Sequence, residues 1–265
     1  MRAIWTNDIH LEFLEEQPLQ QFLDVLANAG ADAILIGGDI AQAPTVTSYL
    51  QRIEGRVGAP VYFVLGNHDY YRGSIEQVQH DVGKLHEESE PLFWLSRAGV
   101  VQLAPDTCLI GHDGWGDARL GDAQGSNVML NDFLLIRELS NLPRAVLIEK
   151  LNALGDQAAA HIAVLLPKAL EAATHVVVLT HVPPFLEAAW YNGKPSKPDW
   201  APFFTCKALG DVLRETMAEQ PGKKMTVLCG HTHGQGRVEI LPNLEVLTGG
   251  AHYGRPCVQE IFNWE

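Results

Sequence analysis

The sequence is poor in basic residues, and this shortage limits its partners. Only 19 of the 265 residues are Lys or Arg, against 32 Asp or Glu, so the formal net charge is −13 at pH 7. A protein that binds long DNA or RNA needs a basic face, so we expect no long nucleic-acid partner. A small phosphate compound stays compatible with this charge, because bound metal ions reverse the local potential.

Long hydrophobic runs and paired cysteines are also missing. No run approaches the about 18 consecutive apolar residues of a membrane span, and the N-terminal segment lacks the apolar stretch of a signal peptide. The four cysteines form neither a C-x-x-C pair nor a disulfide framework. We therefore expect a cytoplasmic protein without membrane contact, whose thiols are free. Hydrophobic residues make up 46% of the chain, which excludes intrinsic disorder.

Short apolar runs alternate with amphipathic segments, which predicts an α/β fold. Candidate strands end in polar or glycine-rich turns near residues 6, 36, 65, 179 and 229. Continuous apolar strands are typical of sheets that are covered on both faces. Helices are predicted after Pro18, at 205–219, and from Ser74 towards Glu88, where Ser74-Ile75-Glu76-Gln77 fits a capping box. Residues 129–173 are predicted to be mostly helical, in pieces broken near Pro143 and Gly155, and strands are predicted at 237–241, 244–248 and 258–262. Without a repeat or a linker, the pattern favours a single domain, residues 1–265.

Residue types that bind metals stand at five of the strand-to-turn junctions. They are Asp8 and His10, Asp39, Asn67 with His68, His181, and His231 with His233. Such junctions meet beyond the carboxyl ends of parallel strands, where ligands gather. Carboxylates, imidazoles and an amide without a thiolate favour Mn, Fe, Zn or Co over a structural zinc site. Without His68 the set has seven ligands, which suits two ions if Asp39 bridges them.

Spacing supports the same interpretation. In Asp8-Ile9-His10 the alternation of a strand predicts that both side chains face one ion, and His231-Thr232-His233 repeats this spacing. One Asp-x-His pair is a weak indication, and so is one Gly-Gly-Asp turn. Five such junctions in this order, each after a strand, are not expected by coincidence.

The series Asp-x-His, Gly-Asp, Gly-Asn-His-Asp, His and Gly-His-x-His resembles the motifs of the calcineurin-like metallophosphoesterase superfamily, and it spans residues 8–233. The resemblance implies a four-layer α/β/β/α sandwich with mixed sheets and a dinuclear metal site at the strand ends. It assigns one ion to Asp8, His10, Asp39 and His233, and the other to Asp39, Asn67, His181 and His231. His68 matches the catalytic histidine. Two ions roughly 3.5–4 Å apart would share a hydroxide that attacks phosphorus.

Departures from the protein Ser/Thr phosphatases of this superfamily narrow the expected activity. Those enzymes carry an Arg shortly after the second motif and a Glu in the third, whereas this chain continues Ile40-Ala41-Gln42 and has Asp69. The pattern is more similar to class III cyclic nucleotide phosphodiesterases and related bacterial phosphodiesterases. We expect a phosphodiesterase that acts on a small phosphate ester. A phosphomonoesterase, a nucleotide pyrophosphatase and a non-catalytic binding protein with this fold remain alternatives.

Substrate contacts are expected from segments outside the ligand motifs. In residues 111–119, Arg119 is expected to bind a phosphate and Trp115 to stack on a base or cover an apolar group. The alternative for this segment is a glycine-rich turn with a buried Trp and a surface ion pair. Tyr70, Tyr71 and Arg72, just after the third motif, are candidates to line the pocket, and Asp69 is expected to orient His68. The proline- and aromatic-rich loop 190–202 is expected to be ordered and near the site.

Overall fold

A computed structural model describes residues 1–264, in which strands and helices alternate along most of the chain. The strands are β1 Arg2–Thr6, β2 Ala33–Gly37, β3 Val61–Val64, β4 Leu92–Trp94, β5 Val101–Ala104, β6 Thr107–His112, β7 His175–Thr180, β8 Trp190–Tyr191, β9 Lys194–Pro195, β10 Lys224–Cys229, β11 Gly236–Leu241, β12 Leu244–Thr248 and β13 Glu260–Asn263. The helices are α1 Glu16–Asn28, α2 Val46–Glu54, α3 Ile75–Glu88, α4 Asp132–Leu135, α5 Arg144–Ala172, α6 Ala201–Phe204 and α7 Lys207–Ala218.

The strands form two mixed sheets and a short hairpin. The first sheet has the order β13-β1-β2-β3-β4, and only β13 runs antiparallel to its neighbour. The second has the order β11-β12-β10-β7-β6-β5, with antiparallel edge strands β11 and β5. Strands β8 and β9 pair only with each other. In both sheets the central strands are parallel, so their carboxyl ends lie at one edge.

Alternation along the strands divides the core into three apolar layers. Trp5, Leu35 and Leu179 belong to the layer in which the two sheets face each other, whereas Ile4 on the other face of β1 packs with residues of α1, α2 and α3. The outer face of the second sheet packs on α5 and α7, as Val178 does. The order is helices, sheet, sheet, helices, which confirms the four-layer arrangement implied by the resemblance.

Of two helix predictions made from local sequence patterns, one is confirmed by the structure and one is wrong. Ser74 was expected to cap a helix, and its Oγ accepts a hydrogen bond from the Gln77 N–H (3.1 Å) at the start of α3. A break near Gly155 was also expected, but α5 continues through it. Gly155 instead allows close packing, because a Cβ there would lie 2.4 Å from the Cβ of Asp117. The prediction of a break was therefore wrong.

All four cysteines are unpaired in the structure. Cys108, Cys206 and Cys229 are buried free thiols, and Cys257 is a free thiol at the surface. Burial raises the pKa of Cys206 and of Cys229 to about 12, so neither thiol is a nucleophile at neutral pH. Within residues 1–264, no helix has the length and apolar character that crossing a membrane requires.

Candidate dinuclear metal centre

The candidate centre lies where the carboxyl ends of the two sheets meet. Strands β1, β2 and β3 of the first sheet lead to Asp8 and His10, Asp39, and Asn67, and strands β7 and β10 of the second lead to His181, His231 and His233. Hydrogen bonds join the two edges, such as that from the His231 N–H to Asp8 Oδ1 (3.0 Å). The fold thus brings together side chains that are up to 225 positions apart, since 233 − 8 = 225.

Five of the seven ligand candidates have left-handed backbone conformations. The φ angles are +48° for Asp8, +41° for His10, +50° for Asp39, +69° for His231 and +57° for His233. Strand alternation was therefore the wrong reason for pairing Asp8 with His10, because β1 ends at Thr6 and β10 ends at Cys229. Non-glycine residues take this conformation at a cost of about 1–3 kcal/mol each, and such strain is concentrated at functional sites.

The first cluster consists of Asp8, His10, Asp39 and His233. One ligand atom of each lies within 4.8 Å of the ligand atoms of the other three. The Nε2 atoms of His10 and His233 are 3.2 Å apart, and His233 Nε2 is 3.5 Å from Asp8 Oδ1. Two imidazoles and two carboxylates at these distances match the donor types that a divalent transition-metal ion binds.

The second cluster consists of Asp39, Asn67, His181 and His231, and backbone carbonyls fix the tautomers of its histidines. His181 Nδ1 lies 2.9 Å from the Gly37 carbonyl oxygen, and His231 Nε2 lies 3.1 Å from that of Phe203. A carbonyl only accepts, so these nitrogens carry the hydrogens. His181 Nε2 and His231 Nδ1 then present lone pairs to Asn67 Oδ1, at 3.1 and 3.0 Å. Three converging lone pairs fit a cation.

Asp39 lies between the two clusters and divides its carboxylate oxygens between them. Its Oδ2 is 3.7 Å from His10 Nε2 in the first cluster, and its Oδ1 is 3.4 Å from His181 Nε2 in the second. Oδ1 also accepts a hydrogen bond from the His68 N–H (2.9 Å). This placement is what a carboxylate bridging two ions requires, and it is the geometry expected for Asp39 from the motifs.

Burial and like charge make the centre electrostatically unfavourable for its own carboxylates. Burial, with the nearby charges of Asp8, Asp69 and Asp132, raises the pKa of Asp39 well above its ordinary value. Burial also acts to raise the pKa of Asp8, but the hydrogen bond to His233 and the charges of His181, His233 and His10 together lower that pKa. Bound cations offset this cost, because they invert the local charge.

Two glycines permit the carboxylates to approach the backbone. A Cβ at Gly66 would lie 2.2 Å from Asp39 Oδ1, and a Cβ at Gly230 would lie 2.0 Å from Asp8 Oδ2. Both distances are far below van der Waals contact, so any other residue would displace the carboxylates. These glycines therefore belong to the centre although they offer no ligand atom.

His68 lies beside both clusters, against aromatic side chains. Its ring centroid is 4.6 Å from that of His10 and 4.2 Å from that of Tyr71, on which it stacks. Burial, reinforced by the charge of His10 and of His181, lowers the pKa of His68 to about 2, so its imidazole is neutral at pH 7. Its Nδ1 finds no hydrogen-bond partner in the described part of the chain.

The prediction that Asp69 orients His68 was wrong. The carboxylate of Asp69 accepts hydrogen bonds from the backbone N–H groups of Ile40 (2.9 Å), Ala41 (2.8 Å) and Gly66 (2.8 Å). Burial raises the pKa of Asp69 to about 8 despite these bonds. Asp69 therefore ties the loop that carries Asp39 to the loop that carries Asn67, and it acts on the backbone of the centre.

A cavity of about 530 Å³ opens onto the centre. Its floor includes Asp39, Asn67, His68 and the two histidines after β10, and its walls and mouth are largely apolar or aromatic: Tyr71, Met129, Leu130, Tyr191, Trp200, Phe204 and Tyr253. Lys197 is the single Lys or Arg among the described residues that line it. The loop 190–202 supplies Tyr191, Lys197 and Trp200, so it is adjacent to the centre as expected. A cavity of this volume suits a small molecule.

The three side chains predicted to contact substrate are not among the described residues that line this cavity. Trp115 is buried in the core and packs on Tyr70, with ring centroids 5.6 Å apart. The hydroxyl of Tyr70 donates to Asp113 Oδ2 (3.0 Å). Arg119 pairs with Asp117 (3.1 Å) and Asp156 (2.7 Å). The buried-turn alternative for residues 111–119 therefore describes this segment, because Trp115 is in the core and Arg119 is paired with two carboxylates of the protein.

Sequence reasoning missed the residues that support the ligands. Phe203 contributes only a backbone carbonyl, which no sequence pattern reveals. Asp132 is buried beside Asn67 but belongs to no motif, and Tyr253 comes from the C-terminal segment. Tyr71 was the exception, since its position directly after the third motif indicated that it would lie near the pocket.

Comparison with known proteins agrees with this geometry. The family model of the calcineurin-like phosphoesterases matches residues 1–235, so the chain belongs to this family. A transmembrane protein with a metallophosphoesterase domain from Danio rerio is 26% identical over 121 residues, which cover 39% of this chain and 27% of that protein. The match thus spans about a quarter of that relative's length.

Two solved structures share the fold. The phosphopantetheinyl hydrolase of Mycobacterium tuberculosis superposes with a TM-score of 0.68 at 14% identity, over 95% of this chain and 89% of that one. A dimetal phosphatase from Danio rerio superposes with a TM-score of 0.59 at 11% identity, over 94% of this chain and 87% of that one. At such identities the likeness shows the fold, and the substrate has to be argued from the cavity.

Proposed function

We propose that this chain hydrolyses phosphodiesters of small molecules with two divalent ions, of which Mn, Fe and Zn suit the ligands best. The observation that carries the proposal is the division of the Asp39 carboxylate between two clusters of ligand atoms. One cluster comprises Asp8, His10, Asp39 and His233, and the other Asp39, Asn67, His181 and His231. When bound, such ions would activate a water nucleophile and neutralise charge on the phosphoryl oxygens.

His68 is the side chain that would act on the substrate directly. It lines the cavity next to both clusters, and its ring is held by stacking on Tyr71. A neutral imidazole in this position donates a hydrogen bond to a phosphoryl oxygen or to the leaving-group oxygen as negative charge develops there. The Glu12 carboxylate lies within 4.8 Å of a ring nitrogen of His68, but no hydrogen bond joins the ring to a carboxylate among residues 1–264. Its contribution is therefore transition-state stabilisation through one hydrogen bond.

The charge of the cavity supports a diester over a monoester. A phosphomonoester carries one more negative charge than a diester at neutral pH, and enzymes commonly meet such charge with Arg or Lys. Here Lys197 is the single Lys or Arg that the described lining offers in addition to the two proposed ions. A substrate with a single negative charge suits this balance. A monoesterase or a pyrophosphatase remains the alternative within the same chemistry.

The walls of the cavity indicate where the organic part of the ester would lie. Tyr191, Trp200 and Tyr253 line the mouth, and each keeps at least 38% of its surface exposed. Exposed aromatic side chains around one cavity are typical of a binding surface. We propose that they contact the ester group that remains on the phosphate or leaves it.

The cytoplasm is the compartment that we propose for this activity. All four cysteines are free, and three of them are buried. Proteins of reducing compartments keep their thiols in this state. Detection of the full-length protein after cell fractionation, with cytoplasmic and membrane markers as controls, tests this assignment.

Hydrolysis of bis(p-nitrophenyl) phosphate, measured beside p-nitrophenyl phosphate, tests the proposed reaction. The metal-free protein should be inactive, and Mn²⁺ should restore turnover with a preference for the diester. A preference for the monoester would replace the proposed specificity while leaving the metal chemistry in place. If the wild-type protein bound two ions and turned over neither ester nor a panel of nucleotide diesters, a binding role would replace catalysis.

A further inference from the structure

Asp132 makes side-chain contacts with a proposed metal ligand although it lies outside every ligand motif. It is the first residue of α4 and only 3% of its surface is exposed. Its Oδ1 accepts a hydrogen bond from Asn67 Nδ2 (2.8 Å) and another from the Tyr71 hydroxyl (2.7 Å). The chain thus buries a carboxylate directly behind an amide that faces the centre.

This contact decides which end of the Asn67 amide faces the centre. A carboxamide has an NH₂ donor on one side and an oxygen acceptor on the other, and the two ends have nearly the same shape. Asp132 Oδ1 only accepts here, so the NH₂ group must face it. Asn67 Oδ1 is thereby directed to His181 Nε2 (3.1 Å) and His231 Nδ1 (3.0 Å).

The Tyr71 hydroxyl cannot make this selection by itself. A hydroxyl both donates and accepts, so it would form a hydrogen bond with either end of the amide. In the structure it accepts from Asn67 Nδ2 (3.0 Å) and donates to Asp132 Oδ1. The direction of the hydroxyl is therefore also set by Asp132.

Each neutral ligand of the second cluster has its own orienting acceptor. Gly37 O holds His181 and Phe203 O holds His231, as described above, and Asp132 holds Asn67. The first two are backbone atoms, so only the third is open to substitution. We infer that Asp132 is a positioning residue that presents the oxygen of Asn67 to the second metal ion. This assignment rests on the proposed two-ion centre.

Calorimetric titration of the metal-free full-length protein with Mn²⁺ tests the assignment without relying on activity. Asp132→Asn keeps the shape but lets the two facing amides flip together, so one of the two ions should bind about 10–100-fold more weakly, as when an orienting partner of a ligand is lost. The other ion should bind within about threefold of wild type. Tyr71→Phe retains the contact between Asn67 and Asp132, so it should weaken binding of the second ion by less than about threefold.

An exchange of the two side chains separates positioning from a merely structural role. Asn67→Asp alone places two carboxylates in contact. It should weaken binding of the second ion or lower the stability of the fold. In the double variant Asn67→Asp/Asp132→Asn, the carboxylate introduced at position 67 has two equivalent oxygens, and the amide at position 132 donates to it. Binding of the second ion should return to within about threefold of wild type, which a purely structural role for Asp132 does not predict.

The outcomes distinguish this inference from the function on which it rests. If the wild-type protein bound fewer than two Mn²⁺ ions, the proposed centre would fail and the assignment of Asp132 with it. If the wild-type protein bound two ions and Asp132→Asn bound both with unchanged affinity, the assignment alone would be overturned. Equal weakening of both ions, without recovery in the double variant, would also overturn it, because it would indicate a general loss of structure.

Discussion

Two buried carboxylates near the strand ends, Asp113 and Asp39, have opposite surroundings. Asp113 Oδ1 accepts hydrogen bonds from the Leu65 N–H (2.7 Å), the Trp94 Nε1–H (2.8 Å) and the Ser96 hydroxyl (2.8 Å). Its Oδ2 accepts from the Tyr70 hydroxyl. Strands β3 and β4 belong to the first sheet, and Asp113 follows β6 of the second. The Asp113 carboxylate therefore joins the two sheets, and both of its oxygens already accept hydrogen bonds.

Asp39 has a similar burial, but its carboxylate accepts one hydrogen bond among residues 1–264 and faces the lone pair of His181 Nε2. Apart from the His68 N–H, its nearest polar neighbours on the two clusters are His10 Nε2 (3.7 Å) and His181 Nε2 (3.4 Å). The difference teaches how to separate a structural polar cluster from a functional one. A carboxylate whose partners already donate needs nothing further, whereas one that faces other acceptors stabilises a bound cation.

Replacing Asp39 should have the largest effect on activity. Asp39→Asn keeps the volume but offers only one ligand oxygen, so one ion should be lost and turnover of the aryl diester should fall roughly 10³-fold, the scale for losing transition-state charge stabilisation. The metal-free variant should unfold at the same temperature as the metal-free wild type or higher, because a buried charge is removed. Calorimetry with Mn²⁺, steady-state kinetics and thermal unfolding measure these three quantities. Two-ion binding with full turnover would contradict the bridging role.

Replacing Asp113 should reverse that pattern. Asp113→Ala leaves the buried donors of Leu65, Trp94 and Tyr70 without an acceptor, at about 1–3 kcal/mol each. We expect the free energy of unfolding to fall by about 3 kcal/mol or more, which lowers the melting temperature by roughly 6–12 °C. Mn²⁺ affinity at temperatures where the variant is folded should stay within about threefold of wild type. A large loss of metal affinity with normal stability would show that Asp113, like Asp39, supports metal binding.

The contrast also explains how far the sequence alone leads. The seven ligand candidates could be found because each follows an apolar run at a strand end, and parallel strands bring those ends together. The four-layer order was implied by the resemblance, whereas the apolar runs predicted only that the strands are covered on both faces. Helix α2 and strands β4 and β5 were not predicted, since their patterns are short and tertiary packing decides them.

Residues 111–119 show why substrate contacts could not be predicted in the same way. Trp115 and Arg119 are residue types that bind ligands, but the same types also fill cores and form ion pairs. Only the distances to Tyr70, Asp117 and Asp156 show which of these roles they have. Asp132 was missed for the converse reason, because a lone Asp at the start of a short helix is typical of surface positions. Long-range contacts carry the information that local patterns lack.

The histidine beside Asp113 gives a pH-dependent form of the comparison. Burial lowers the pKa of His112 to about 4, and its Nδ1 accepts a hydrogen bond from the Gly114 N–H (3.1 Å). The unfolded chain binds a proton near pH 6.5, before the folded chain does, so His112 reduces stability as pH falls from about 6.5 to about 4. The loss should amount to about 2–3 kcal/mol at most.

His112→Asn keeps an acceptor for the Gly114 N–H and removes the titrating group. Urea unfolding of the metal-free proteins at pH 7, 6, 5 and 4.5 should therefore show a shallower decline for the variant than for wild type. The comparison is made without metal because metal binding itself depends on pH and would change stability by a second route. Identical slopes would mean that His112 is already protonated or exposed in the folded state.

The smallest effect is expected at the mouth of the cavity, away from both carboxylates. Trp200 lines the cavity and is 38% exposed. Trp200→Ala removes an aromatic contact worth about 0.5–1.5 kcal/mol, so KM for bis(p-nitrophenyl) phosphate should rise about 3–10-fold while Mn²⁺ affinity is unchanged. Trp200→Phe should retain most of the wild-type KM.

With methyl p-nitrophenyl phosphate, Trp200→Ala should change KM less, because a methyl group makes little contact with an indole. Equal changes of KM for both esters would mean that the second nitrophenyl group of the substrate does not contact Trp200. A fall in Mn²⁺ affinity would mean that Trp200 also affects the metal centre.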